Sequence, residues 1–406
     1  MKNLLLPFTL PLFLLAIQAQ ADEKPAKTGF TLNGEIEGLV PGDTIKLYTT
    51  LPGGGYSLDF LTVVDRPGKF TITGDIDHTQ VYLMNYRPLS GIYDESQVWR
   101  LDLMIRPGDV VKVEGTVGRI YGSLRSGGVF DDPLLQERFA LARHLNILLS
   151  DAFSKRNEAI ENNDSLKYVE YDREFFAIYE SEDYKRMEKL REDFAENVTD
   201  SEWRVYQIID DMGNETAKRA QAKFDRLTPE VRGSHYGKIL AEMIEAKKNE
   251  VLPGAPDFNL AMADGSRATL KDFKDSYLLI YKWGSCPGSF QTDAFVQEIF
   301  HKYKDRNFGM IGITYNIDAM RQWYEIMPPE EQIGGKNGRT TLEGMLSHPW
   351  RDADITEENR KFIDDYDLQG LPMFVFISPQ GELISKGYGG TLDMAVKILE
   401  DEFGAN

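Results

Sequence analysis

The hydrophobic period of this chain changes twice along its length, and that change limits what it can fold into. From residue 28 to about 120 the apolar positions alternate, as in Phe30, Leu32, Gly34 and Ile36, with polar residues between them. Similar short runs follow at 44–48, 69–72, 81–84, 101–105 and 110–113. The turns Pro41-Gly42-Asp43, Pro67-Gly68-Lys69 and Pro107-Gly108-Asp109 separate them. Period-two runs punctuated in this way predict strands, and many of them predict an antiparallel β-sandwich over 28–130. From Asp132 the period becomes helical, with Leu134, Leu141, Leu145, Leu148 and Leu149 as one apolar stripe. Asp200-Ser201 and Thr228-Pro229-Glu230 mark helix starts, so 131–250 is expected as an α-helical middle region. A third pattern occupies 251–406. Leu278 to Tyr281 and Met310 to Thr314 read as buried strands around a helix from Ser289 to Lys304, a βαβ unit with parallel pairing. Met373 to Ile377, the turn Ser378-Pro379-Gln380-Gly381 and Glu382 to Lys386 form a hairpin, and a last helix spans Leu392 to Phe403. The fold class is therefore multidomain: β-sandwich, helical region, then an α/β domain.

The amino-terminal stretch places Lys2 before an apolar run from Leu4 to Ile17 and then Ala19-Gln20-Ala21. This is the pattern of a cleaved signal peptide over 1–21, since the run is shorter than the ~20 residues a spanning helix needs. The mature chain is expected to be exported and soluble, in a periplasm or secreted, reaching a membrane only through a partner. Acidic residues outnumber basic ones, 65 to 46, for a net charge of −19. That charge opposes phosphate backbones and excludes nucleic acid as a natural partner.

Exported proteins usually carry paired cysteines, yet this chain has one, Cys286. A lone thiol is buried and inert, paired to another molecule, or reactive. Cys286-Pro287-Gly288-Ser289 follows the strand ending near Lys282 and opens the next helix, where proline suits the first helical position. The unpaired amides and positive end of that helix favour thiolate, the form that attacks disulfides. Lys282 is expected to be solvated at its strand end. Leu371-Pro372 stands directly before the strand at 373–377; a cis bond there would leave the Leu371 backbone to pair with an extended substrate, though local sequence by itself favours trans.

Several of these segments together resemble the redoxin group, meaning alkyl-hydroperoxide-reductase/thiol-specific-antioxidant and TlpA-type thioredoxin-like proteins. The resemblance runs through Gly254-Ala255-Pro256-Asp257-Phe258, Asp264-Gly265 and Leu270-Lys271-Asp272-Phe273. Tyr281 to Ser289 is similar to the family's Trp-Ala-Ser-Trp-Cys-Pro-Pro-Cys site, and Tyr366 to Pro372 to its cis-proline approach. The resemblance implies a thioredoxin fold for 251–406, catalytic positions at Cys286, Ser289 and Pro372, and a substrate lying along Leu371, Trp283, Pro287 and Gly288. The β-region, with Arg106-Pro107-Gly108-Asp109, resembles the accessory domain that precedes such modules in exported bacterial proteins. The second active-site cysteine is replaced by Ser289, and the tryptophan just before the first is missing. Cys286 is thus expected to form mixed disulfides with a disulfide- or thiol-bearing protein or a glutathione-like thiol, and to need an external thiol for release. Whether it turns over as an enzyme is left open, beside the alternative of a redox-inactive binding module.

Peroxiredoxins resemble a pattern with proline and threonine shortly before the cysteine, and the corresponding places here are Leu279 and Trp283, which demotes a thiol peroxidase. His78, His144, His235, His301 and His348 are scattered, and none has ligand spacing to Cys286. Neither a metal nor another cofactor is expected.

Overall fold

Residues 28–50, 55–90, 101–119, 122–326 and 342–404 are described by a computed structural model, in which the chain divides into two units, Met1–Val198 and Thr199–Asn406. The expected leader at 1–21 lies outside the described residues. In the first unit β1 (Thr28–Glu37), β2 (Thr44–Thr50), β3 (Tyr56–Val63), β4 (Lys69–Ile76), β5 (Gln80–Arg87), β6 (Leu101–Ile105), β7 (Val110–Thr116) and β8 (Leu124–Ser126) build two four-stranded sheets, ordered β4-β1-β7-β8 and β3-β2-β5-β6. Alternation along β1 buries Phe30, Leu32 and Ile36. Phe30 meets Phe60 of β3 and Tyr82 of β5, with ring centroids 5.1 and 6.2 Å apart, so apolar residues of the two sheets share a core. The Pro-Gly turns hold Gly42, Gly68 and Gly108 at φ of 97°, 72° and 89°, which a side chain would disfavour.

The expectation of purely antiparallel pairing is corrected at one place. β1 and β7 run parallel, with Leu32 opposite Val111. Parallel neighbours need a long crossover, and the strands between β1 and β7 supply it.

The first unit is completed by α1 (Pro133–Glu161), α2 (Ser165–Tyr179) and α3 (Glu182–Asn197). Asp132 caps α1 by accepting the amides of Leu134 and Leu135, with Pro133 in the first turn. The buried face of α1 is Leu135, Phe139, Leu145, Ala152 and Ala159. Of the expected leucine stripe only Leu145 belongs to it, and Leu148 is exposed. A phenylalanine and two alanines belong to the buried face, which the spacing of leucines does not mark.

The helical stretch continues in the second unit as α4 (Glu202–Asp210), α5 (Ala217–Asp225), α6 (Pro229–Gly233) and α7 (His235–Lys248), so the residues read as one middle region are shared between the units. Thr228 caps α6, with Pro229 at its start. The rest of the unit runs β9 (Asn259–Ala261), β10 (Arg267–Thr269), β11 (Tyr277–Lys282), α8 (Pro287–Tyr303), β12 (Phe308–Thr314), α9 (Ile317–Ile326), α10 (Leu342–Leu346), β13 (Arg351–Asp354), α11 (Arg360–Asp365), β14 (Met373–Ile377), β15 (Leu383–Gly387) and α12 (Gly389–Phe403). Arg219 of α5 pairs with Glu400 and Asp401 of α12 at 2.9 and 3.0 Å, which ties α5 to this part of the unit.

The central sheet has the order β13-β12-β11-β14-β15. β11, β12 and β13 are parallel, while β14 and β15 are antiparallel to their neighbours. Helices cover both faces, so β14 reads as an unbroken apolar run and β11 as one up to its last residue, Lys282. Side chains alternate across β11 nonetheless. Leu279 and Tyr281 enter the core that contains Phe290 and Leu392, and Leu278 and Ile280 enter the one that contains Phe362 and Tyr366.

Candidate functional site

Cys286 is the N-cap of α8, with extended backbone at φ −116° and ψ 155°. Its Sγ accepts the amide of Ser289 at 3.4 Å and lies 3.2 Å from Ser289 Oγ. Sulfur thus takes the place that a serine or aspartate oxygen fills in an ordinary cap. Ser289 is fully buried, and its Oγ also accepts the amide of Gly284 at 3.2 Å. A hydroxyl that already accepts one hydrogen bond has its own proton left to direct at Sγ. Cys286 itself is partly exposed.

The Leu371–Pro372 bond is cis. Both residues stand against the cysteine loop at positions without side chains. A Cβ on Gly288 would lie 3.0 Å from Pro372 Cδ, and one on Gly284 would lie 2.9 Å from Leu371 Cδ1. The structure therefore brings Cys286, Gly288, Ser289, Leu371 and Pro372 together. Pro287 opens α8, and its side chain lies outside the described residues.

Two neighbours differ from expectation. Lys282 is not solvated: its residue is 1% exposed, its Nζ donates to the Leu368 carbonyl at 2.7 Å, and it sits 5.3 Å from the centre of the Tyr315 ring. Its position in β11 turns it inward, and the carbonyl and ring replace water around the ammonium. Trp283, expected along a substrate surface, has no solvent exposure, and its indole N–H donates to Asp352 Oδ1 at 2.8 Å.

Sequence reasoning missed a buried polar group. His348, counted above among scattered histidines, has Nε2 2.7 Å from Asp293 Oδ1 and Nδ1 3.2 Å from Asp352 Oδ2. The only local hint was the spacing of His348 to Asp352; Asp293 comes from a different element, α8.

A βαβ unit followed by a ββα unit on one mixed sheet, with a cis proline against the first turn of the helix that a cysteine caps, is the arrangement of a thioredoxin fold. No family model matches the chain. Among known proteins, the thioredoxin-like protein SkfH of Bacillus subtilis is 29% identical over 117 residues, which cover 28% of this chain and 70% of that protein. A thiol-disulfide oxidoreductase from Bacteroides fragilis is 22% identical, matching 35% of this chain and 98% of its own with a TM-score of 0.26. The thioredoxin domain of a thiol-disulfide oxidoreductase from Bacteroides vulgatus is 16% identical, matching 37% and 98% with a TM-score of 0.28.

Proposed function

We propose that the protein is an exported thioredoxin-like thiol-disulfide exchange protein that works through Cys286 alone. The observation that supports this reading most is the contact of Cys286 Sγ with the α8 amide and the Ser289 hydroxyl, beside the cis Leu371–Pro372 bond. After losing its proton to solvent, Cys286 attacks one sulfur of a substrate disulfide. A Cys286–substrate disulfide forms, the substrate's own S–S bond breaks, and the other sulfur leaves as a thiolate that takes up a proton. Ser289 holds the attacking thiolate, and the Leu371 backbone pairs with the extended substrate. An external thiol of the glutathione class then attacks the substrate sulfur of the mixed disulfide, so that Cys286 leaves as thiolate and the substrate departs disulfide-bonded to that thiol; a second external thiol attacks this bond, freeing the reduced substrate and forming the disulfide of the two external thiols.

In this reading 1–21 is a removed leader, 28–130 a sandwich-type accessory domain, 131–250 a helical region and 251–406 the exchange domain. Among the described residues no helix is long and apolar enough to cross a membrane. The test incubates purified protein with a disulfide substrate and excess small thiol. Cys286→Ala is expected to reduce the rate to that of the thiol alone. An unchanged rate would overturn the exchange reading.

A further inference from the structure

Asp293, His348 and Asp352 form a buried chain beside the thiol site. The His348 side chain has no exposure, and neither has that of Asp293. Both ring nitrogens lie within hydrogen-bond distance of carboxylate oxygens, and where both carboxylates are ionised both nitrogens donate, as an imidazolium does. Each carboxylate has a second partner. Asp352 Oδ1 accepts the Trp283 indole at 2.8 Å, and Asp293 Oδ2 accepts the Gln297 amide at 2.7 Å. Trp350 stacks on the imidazole at 4.2 Å, and Trp283 meets it edge-on at 4.9 Å.

The positions of these partners matter for the cysteine. Asp293 lies one turn beyond Ser289 on α8, and Trp283 stands three residues before Cys286 at the end of β11. One ring therefore ties together the chain on both sides of Cys286: the helix through Asp293, and the strand end through Asp352 and Trp283.

We propose that His348, clamped between Asp293 and Asp352, is a positioning residue for Cys286, holding the end of β11 and the first turns of α8 in the register that keeps Sγ on Ser289. This rests on Cys286 being the exchange thiol. Burial works against charge on the ring, but the hydrogen bonds and charges of Asp293 and Asp352 outweigh it and raise the His348 pKa above its ordinary value. Tyr281 of β11 also faces the ring, and burial, reinforced by the Asp293 charge, raises its pKa, so it stays neutral. On the other side Asp264, Arg321 of α9 and Arg351 line a cavity of about 330 Å³ with His348 and Asp352. Because the folded pKa of His348 is raised, the clamp is complete below the ordinary imidazole value of ~6.5 and is lost as pH rises through the raised value.

The test follows two signals across pH in the full-length protein: iodoacetamide labelling of Cys286, read by mass spectrometry, and tryptophan fluorescence, which an adjacent imidazolium quenches. In the wild type, fluorescence is expected to rise through an alkaline transition, with a break in the labelling profile at the same pH. His348→Asn should remove both features and slow neutral labelling on the order of tenfold, since small displacements at a reacting centre are costly. Asp352→Asn keeps an acceptor for Trp283 and should move both features to lower pH, so it decides the matter if His348→Asn does not fold. Labelling profiles of the folded variants that superimpose on the wild type would overturn the proposal. Alkylation needs no disulfide exchange, so a wild type that labels with the break but does not exchange would sink the functional reading alone.

Discussion

Two buried cations, one in each unit, are held in opposite ways. In the first unit the Arg125 guanidinium lies 4.2 Å from the centre of the Phe139 ring and donates to the Asp102 carbonyl at 3.3 Å, while its Nε has no hydrogen-bond partner among the described residues. Burial, and then the charge of Arg138, pull its pKa down to about 10, against a smaller opposing effect of Asp102. In the second unit the His348 side chain is also removed from water, but two carboxylates face it and its pKa goes up. Burial penalises both charges, and the partner decides the outcome. A cation on an aromatic ring is replaceable by apolar bulk, whereas one between two carboxylates is not.

The largest expected effect that tests this contrast is on stability. His348→Leu leaves Asp293 and Asp352 facing each other without a cation, and breaking a buried pair in this way typically costs about 3–5 kcal/mol. Urea unfolding at neutral pH measures it. The gap between variant and wild type should narrow as pH rises through the raised His348 value, because there the wild type loses the same contribution. A gap that widens with pH would break the comparison.

Lys282 is the intermediate case, a buried cation with one carbonyl and one ring. Lys282→Met should cost about 1–3 kcal/mol, the penalty for an unpaired buried carbonyl at Leu368. It should also weaken capture of disulfide substrates, because Leu368 leads into the Leu371–Pro372 segment. Unfolding and saturation kinetics on one preparation separate the two. The smallest effect is expected at Arg125→Met, within about 1 kcal/mol of wild type, since apolar replacement of a buried ion is often neutral. A loss as large as that of His348→Leu would show that ring packing holds a cation as firmly as carboxylates do.

Much of the thiol site was legible because its pieces are local. Cys286 and Ser289 make their contact within one helical turn, and proline after a capping residue marks that turn directly. Leu371-Pro372 was legible as a motif, but the packing of Gly284 and Gly288 against it was not. In the first unit β1, β2, β4, β5, β6 and β7 followed their alternation, β3 and β8 were not legible, and the parallel pairing of β1 with β7 left no mark in either strand's own pattern.

What the sequence by itself determined is the β, helical or mixed character of each long region and the placing of one cysteine at a helix start, because periodicity, turns and caps act over a few residues. Only the tertiary structure decided which polar side chains are buried and whom they meet. Lys282 reaches Leu368 across 86 positions, Trp283 reaches Asp352 across 69, and His348 reaches Asp293 across 55. At such separations a lysine, a tryptophan and a histidine carry no local sign of their partners. Adjacent Lys282 and Trp283 take different partners because successive side chains of an extended segment point to opposite faces of the sheet.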